Sequence, residues 1–188
     1  MNSIELGAAQ LRDAERLAAK WSRLAVAAGM HGAPIVHEDT LTHAQGEVGV
    51  EALLTAYELR VVPHFRNVDP NGEPLPDVTV GFPPLRMMIC VYTVAEWHRA
   101  GRSVSRALAP TLKRQADALL WCVVERPTDG ADGEVRVRLA GWSMVEDVLR
   151  APLYRPDDSS AFEHQLAESQ VRPLDDLLAL WHARAKAA

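Results

Sequence analysis

The apolar positions change period several times along the chain, and each change marks an element. In residues 3–30, Ile4, Ala8, Leu11, Ala18, Trp21, Ala25 and Ala28 recur at spacings of three, four or seven. That period places them on one face of a helix, so the segment predicts a long amphipathic helix with Ser3 as N-cap. Residues 31–42 read as a loop. A second helix is predicted over 43–57, with Val50, Leu53, Leu54 and Tyr57 facing inward. Residues 58–65 read as a strand in which Pro63 marks an edge or an irregularity. The stretch DPNGEPLP, 69–76, has turn composition. A short strand over 77–81 and a longer apolar one over 85–93 follow, joined at a Pro83-Pro84 corner.

Residues 94–115 have helical character on both sides of Pro110, and 117–125, DALLWCVVE, reads as a buried strand. A tight connection, PTDGADG, leads to 134–142, which alternates as a half-exposed strand does. Ser143-Met144-Val145-Glu146 fits a capping box that starts a short helix to Arg150. Residues 151–160 are loop-like, and 173–187 read as a helix with proline in its first turn. No internal repeat or low-complexity linker interrupts the order. Three strands in a meander, a helical crossover and two more strands predict an α/β domain in three layers, with a mixed five-stranded sheet. The expected organisation is a single domain: helix and loop over 1–42, core over 43–150, loop and helix over 151–188.

Composition bounds the function. The chain has 188 residues, 48% apolar and 24% charged, which are values of a globular domain with a real core. Its net charge of −5 argues against a life of nonspecific DNA binding, because such binding draws on phosphate neutralisation. One local basic patch remains compatible with it. No apolar run is long enough to span a bilayer, and the N-terminus lacks the basic and apolar regions of a secretory signal. Cys90 and Cys122 both lie in apolar runs, as buried free thiols of a cytoplasmic protein do.

Five short stretches, taken in order, carry a resemblance. They are Gly46-Glu47 on the second helix, Pro76-Asp77 at the start of the second strand, and Ile89-Cys90-Val91-Tyr92-Thr93 ending the third. Ala116-Asp117-Ala118-Leu119-Leu120 opens the fourth strand, and Gly141-Trp142 closes the fifth. Together, over about residues 43–150, they resemble the restriction-endonuclease-like fold of the PD-(D/E)xK nuclease superfamily. The resemblance implies a site in which Asp77 and an acid at position 90 hold a divalent cation and a lysine at position 92 assists the attacking water. Cysteine stands at 90 and tyrosine at 92 instead. A thiol is a soft ligand for a hard cation, and a phenol is neutral near pH 7. The resemblance thus implies a degenerate member, with Glu47, Asp77, Cys90 and Tyr92 as vestigial positions, no catalytic residue and no cofactor.

Three residues are candidates for rebuilding the site, with Mg or Mn as the cofactor of that alternative. Glu47 is as well explained as an exposed helix glutamate, Glu96 as a first-turn acid, and Lys113 as a surface lysine. Asp77 is also explained by its place after a proline, where an aspartate satisfies local backbone donors. His31, His37 and His43, six residues apart, match neither a helix face nor a zinc spacing and read as loop histidines. His64 and His98 flank the expected sheet.

Charge is concentrated in one place. Arg99, Arg102, Arg106, Lys113 and Arg114 follow the third strand with no acid among them. They form a candidate phosphate-binding patch for nucleic acid, though without interleaved aromatics for base stacking. Arg136 and Arg138 share a strand face and are better read as solvated. Three functions remain open: an inactive nuclease-fold protein that binds nucleic acid or a protein partner, a divergent metal-dependent nuclease with migrated residues, and an interaction protein without a nucleic-acid role. Self-association as a homodimer through the long N-terminal helix belongs to the last.

Overall fold

The computed structural model describes residues 2–27, 37–66, 76–81, 84–100, 102–127, 134–155 and 162–187. The predicted turn at 69–76, apart from Pro76, lies outside the described residues, as do the Pro83 corner, nearly all of the PTDGADG connection, and His31.

The chain builds a curled, mixed sheet of six strands with helices against it. The strands are β1 (Ser3–Glu5), β2 (Val61–Pro63), β3 (Val78–Val80), β4 (Leu85–Thr93), β6 (Ala118–Glu125) and β7 (Arg136–Met144), in the order β1-β7-β6-β4-β3-β2. The meander β2-β3-β4 is antiparallel, β4 and β6 are parallel, and β7 returns antiparallel. Parallel neighbours need a crossover. Here it comprises α3 (Val94–Ala100), β5 (Ser103–Ser105), a 3₁₀ turn and α4 (Ala109–Gln115). β5 joins β9 (Glu163–Gln165) and β8 (Leu153–Tyr154) in a second, three-stranded sheet.

Side chains alternate across β4, so each face of the sheet builds its own core. Leu85, Met87 and Ile89 pack on one face with Leu120, Val137 and Leu139, under α1 (Ala8–Ala27), α2 (His37–Ala56) and α6 (Leu174–Ala187). Met88, Cys90 and Tyr92 point to the other face, toward Leu112, Leu119, Trp121 and Val148 of α5 (Val145–Arg150). β6 is covered on both faces, which is why its sequence reads as an unbroken apolar run.

The structure corrects the sequence expectations in several places, among them the expected loop at 151–160, which contains β8, and the expected strand at 58–65, of which only Val61–Pro63 is strand. Ser3 does not cap a helix: Ser3–Glu5 pairs with Arg136–Arg138, Leu6 donates to the Val135 carbonyl and is buried, and α1 starts only after Gly7. Pairing on the open edge of β7 satisfies backbone groups and buries Leu6, which outweighs the helical period there. The sheet therefore has six strands, not five. The expected loop over 37–42 is helical, extending α2 toward the N-terminus. The crossover contains a strand, β5, and Pro110 starts α4 rather than interrupting a helix. Ser143 does not cap α5, because its hydroxyl is buried between the Trp121 indole N–H at 3.0 Å and the Gln170 carbonyl at 3.2 Å. Pro63 does lie on an edge strand, β2, which ends in a 3₁₀ turn at His64–Arg66.

Candidate functional site

A cleft of about 300 Å³ opens beside β4, lined by Asp77, Cys90, Tyr92 and His43 and otherwise mostly by apolar side chains such as Ile89 and Leu112. Strand pairing assembles it. Asp77 immediately precedes β3, and its Oδ2 accepts the Ile89 N–H at 2.6 Å, fastening the start of β3 to β4. Cys90 and Tyr92, two residues apart on β4, face the same side. Three of the four positions named for the site, Asp77, Cys90 and Tyr92, thus line one cleft.

Glu47 approaches from α2. Gly46 permits this, since a Cβ there would come within 2.6 Å of the Val91 methyls and 3.1 Å of the Cys122 sulfur. Glu47 is buried rather than exposed, 3.3 Å from His43 Nε2 one helical turn away, and its second oxygen has no hydrogen-bond partner. Burial lifts its pKa to about 7, with the Asp77 charge adding to the shift and His43 and Arg66 working against it. Asp77 is also raised by burial, against the Ile89 N–H and His43. At His43 burial opposes the charged ring, but the Glu47 hydrogen bond and the charges of Glu47 and Asp77 outweigh it and raise the pKa. That balance is physical, because the His43 side chain is 46% exposed and keeps much of its hydration. The His-x-x-x-Glu spacing at 43 and 47 was the available sign of this pair.

The other two positions are inert. Burial pushes the Cys90 thiol up to about 12, helped by Asp77. The Tyr92 phenol is driven well above its ordinary range, first by burial. Its hydroxyl donates to the Ser103 carbonyl at 2.8 Å, and its ring sits edge-on to Trp97 and stacked against Trp121. The donor set is short for a hard divalent cation: Asp77 and Glu47 each have one oxygen engaged, by Ile89 and by His43, and the third position, Cys90, offers a soft thiol instead of a carboxylate. Among the described residues no group of three His, Cys, Asp or Glu side chains is placed to hold a metal ion.

The candidates for rebuilding the site go elsewhere. Glu96 accepts the Thr93 N–H at 2.7 Å and the Thr93 hydroxyl at 2.9 Å, and so caps α3. Lys113 lines a separate cleft with Arg86 and Asp117, which pair at 2.9 Å. His64 bonds the Thr79 hydroxyl at 2.9 Å, while His98 is exposed on α3. Both thiols are free.

Among the basic residues, Arg136 pairs with Glu5 at 2.6 Å and Arg138 with Glu125 at 3.0 Å. Arg99, Arg106, Lys113 and Arg114 are exposed on the crossover, and none forms an ion pair with a described residue. Arg102 differs from them: it is half-buried, lies over Trp97 and is 3.8 Å from Glu168. Among the described residues no helix is long and apolar enough to cross a membrane. No family model, curated protein or solved structure matches this chain.

Proposed function

We propose that this chain is a catalytically inactive protein on a three-layer, restriction-endonuclease-like frame, and that it acts by binding nucleic acid. The observation that carries the inactive reading is that a half-buried Cys90 thiol and a Tyr92 locked onto Ser103 stand in the cleft that Asp77 enters. Hydrolysis of a phosphodiester at that cleft would need an ion to stabilise charge and to lower the pKa of water. At positions 90 and 92 the chain offers a thiol and a hydrogen-bonded phenol in place of the carboxylate and the lysine that such a site would use. The nucleic-acid partner is supported by Arg99, Arg106, Lys113 and Arg114, exposed cations that, unlike Arg136 and Arg138, form no ion pair with a described residue.

The test is cleavage beside binding. The purified protein and Asp77→Ala are incubated with single- and double-stranded DNA and with RNA, in magnesium and then manganese. Intact substrates in every lane support the reading. Cleavage that disappears in Asp77→Ala overturns it and moves attention to Glu47. Salt-sensitive binding of an oligonucleotide supports the nucleic-acid partner. Its absence favours a protein partner instead, for which Leu108, Leu153, Tyr154 and Phe162, all exposed on or beside the small sheet, are the apolar surface.

A further inference from the structure

We propose that Arg102 anchors a binding site for a small oxyanion, a carboxylate or a phosphate ester, in the cleft beside the small sheet. This cleft is separate from the one at Asp77. It measures about 430 Å³ and is lined by Arg102, Tyr154, Gln165, Leu166 and Gln170 among others.

The backbone is the first sign. Arg102 has φ of +73°, in the left-handed region where a non-glycine residue is uncommon. Its carbonyl accepts the Leu166 N–H at 3.0 Å, which holds that conformation against the end of β9. Strain of this kind collects where a side chain has to be aimed.

The side chain is the second sign. The guanidinium lies over the Trp97 ring at 5.7 Å, which keeps it flat and in place. It makes no hydrogen bond to any described residue, and its buried Nε has no partner. Its nearest carboxylate is Glu168, 3.8 Å away and 89% exposed. By contrast Arg66, Arg86, Arg138 and Arg172 each hold a carboxylate at 3.0 Å or less. A buried donor left unused is rare in a folded protein and calls for a partner.

Neighbouring groups complete the chemistry. The Gln170 side-chain oxygen accepts the Ala167 N–H at 2.9 Å, which directs its amide N–H₂ away from that bond and leaves it to donate. A guanidinium fork matches the two oxygens of a carboxylate or a phosphate ester. The Arg102 side chain is only 27% exposed, so it suits a compact terminal group better than the backbone of a duplex. This sets Arg102 apart from the exposed cations of the crossover, and the site stands whether or not those bind nucleic acid.

The experiment follows the side-chain Nε–H resonances of the arginines in ¹⁵N-labelled full-length protein. Acetate, inorganic phosphate and a short DNA duplex are titrated separately, with chloride holding ionic strength constant. The expected result is a saturating shift at Arg102, with Arg136 and Arg150 unmoved. Saturation by acetate identifies the carboxylate source, and saturation by phosphate the ester source. Arg102→Gln should abolish the response reported by the amides of Gln165 and Gln170. Glu168→Gln removes the competing carboxylate from an exposed position and should tighten binding about two- to fivefold. A gain of that kind does not arise from misfolding. The proposal is overturned if neither acetate nor phosphate produces a saturating shift at Arg102, if all arginines shift together, or if only the duplex moves it.

Discussion

The Tyr92 hydroxyl donates to the Ser103 carbonyl at 2.8 Å and so ties the central strand β4 to β5 of the small sheet. A residue placed where the nuclease resemblance calls for a lysine is therefore a structural fastening between two sheets. Replacing Tyr92 by Phe removes one hydrogen bond and should cost about 1 kcal/mol. Tyr92→Lys sets an ammonium against Trp97 and Trp121 and should cost about 3 kcal/mol. Urea unfolding of both variants measures the difference. Equal stability of Tyr92→Lys and the parent would mean that the position is open to water.

Glu47 makes stability depend on pH. Burial raises its folded pKa to about 7, against 4.5 as the ordinary value. Between those limits the folded state holds a proton that the unfolded state has lost. Stability is therefore greatest at the acidic end of this window and falls as pH rises through it, by about 3 kcal/mol at most. The raised Asp77 has the same sign, and so has His43, whose contribution is present below 6.5 and lost as pH rises through its folded pKa. Glu47→Gln should flatten the slope between pH 4.5 and 7 and raise stability at pH 8. Urea midpoints across that range test this, and an unchanged slope in the variant would contradict it.

Much of the sheet was legible because strands of strong period announce themselves. The strand β4 begins and ends where its apolar run does, and β6 differs from the reading by one residue. Cys90 and Tyr92 were also readable as neighbours, since residues two apart on a strand share a face; the place of Asp77 beside them was only what the resemblance implied, and pairing of β3 with β4 supplies it. What failed was decided at a distance. The helical period over 3–30 is real, but its first residues pair with β7, more than 130 positions away, and no local pattern encodes that. Ser143 has the sequence of a cap and the surroundings of a core hydroxyl, because Trp121 needs an acceptor there. β5, β8 and β9 are two or three residues long, too short for a period to show. Glu47 looked exposed because the close approach that buries it depends on Gly46 meeting Val91 across the core.

Gly81 carries a second long-range constraint. Its φ is +74°, and a Cβ there would lie 1.5 Å from the Trp181 indole nitrogen of α6. Gly81→Ala therefore combines backbone strain with displacement of Trp181 and should cost about 2 kcal/mol or more. In a Trp181→Ala background the clash is gone, and only the strain, about 1 kcal/mol, should remain. A double-mutant cycle by thermal and urea unfolding reads this directly, and purely additive costs would deny the contact.

The thiols give a chemical check on the cleft. Cys90 is pushed up to about 12, and Cys122 is raised well above its ordinary value, both first by burial. At pH 8 neither supplies appreciable thiolate, so the folded protein should react with a disulfide reagent far more slowly than the unfolded one, with half-buried Cys90 ahead of buried Cys122. In denaturant both of the chain's two cysteines should react at once. Rapid reaction of one thiol in the native state would show that its surroundings do not suppress the thiolate.

The salt dependence of DNA binding separates local attraction from the charge of the whole molecule. A chain of net charge −5 repels a polyanion at long range, so the proposed binding rests on the crossover cations that pair with no described residue. If Arg99, Arg106, Lys113 and Arg114 each neutralise one phosphate, log K should fall against log salt with a slope of about −3 to −4. Arg106→Gln should weaken binding and make the slope shallower by about 1, because one fewer counterion is released. Arg136→Gln should leave the slope unchanged, since Arg136 already faces Glu5 at 2.6 Å. Fluorescence anisotropy of a labelled duplex between 50 and 200 mM salt measures all three. A slope that responds to Arg136 and not to Arg106 would place the contact on β7 rather than on the crossover, and would detach DNA binding from the crossover cations altogether.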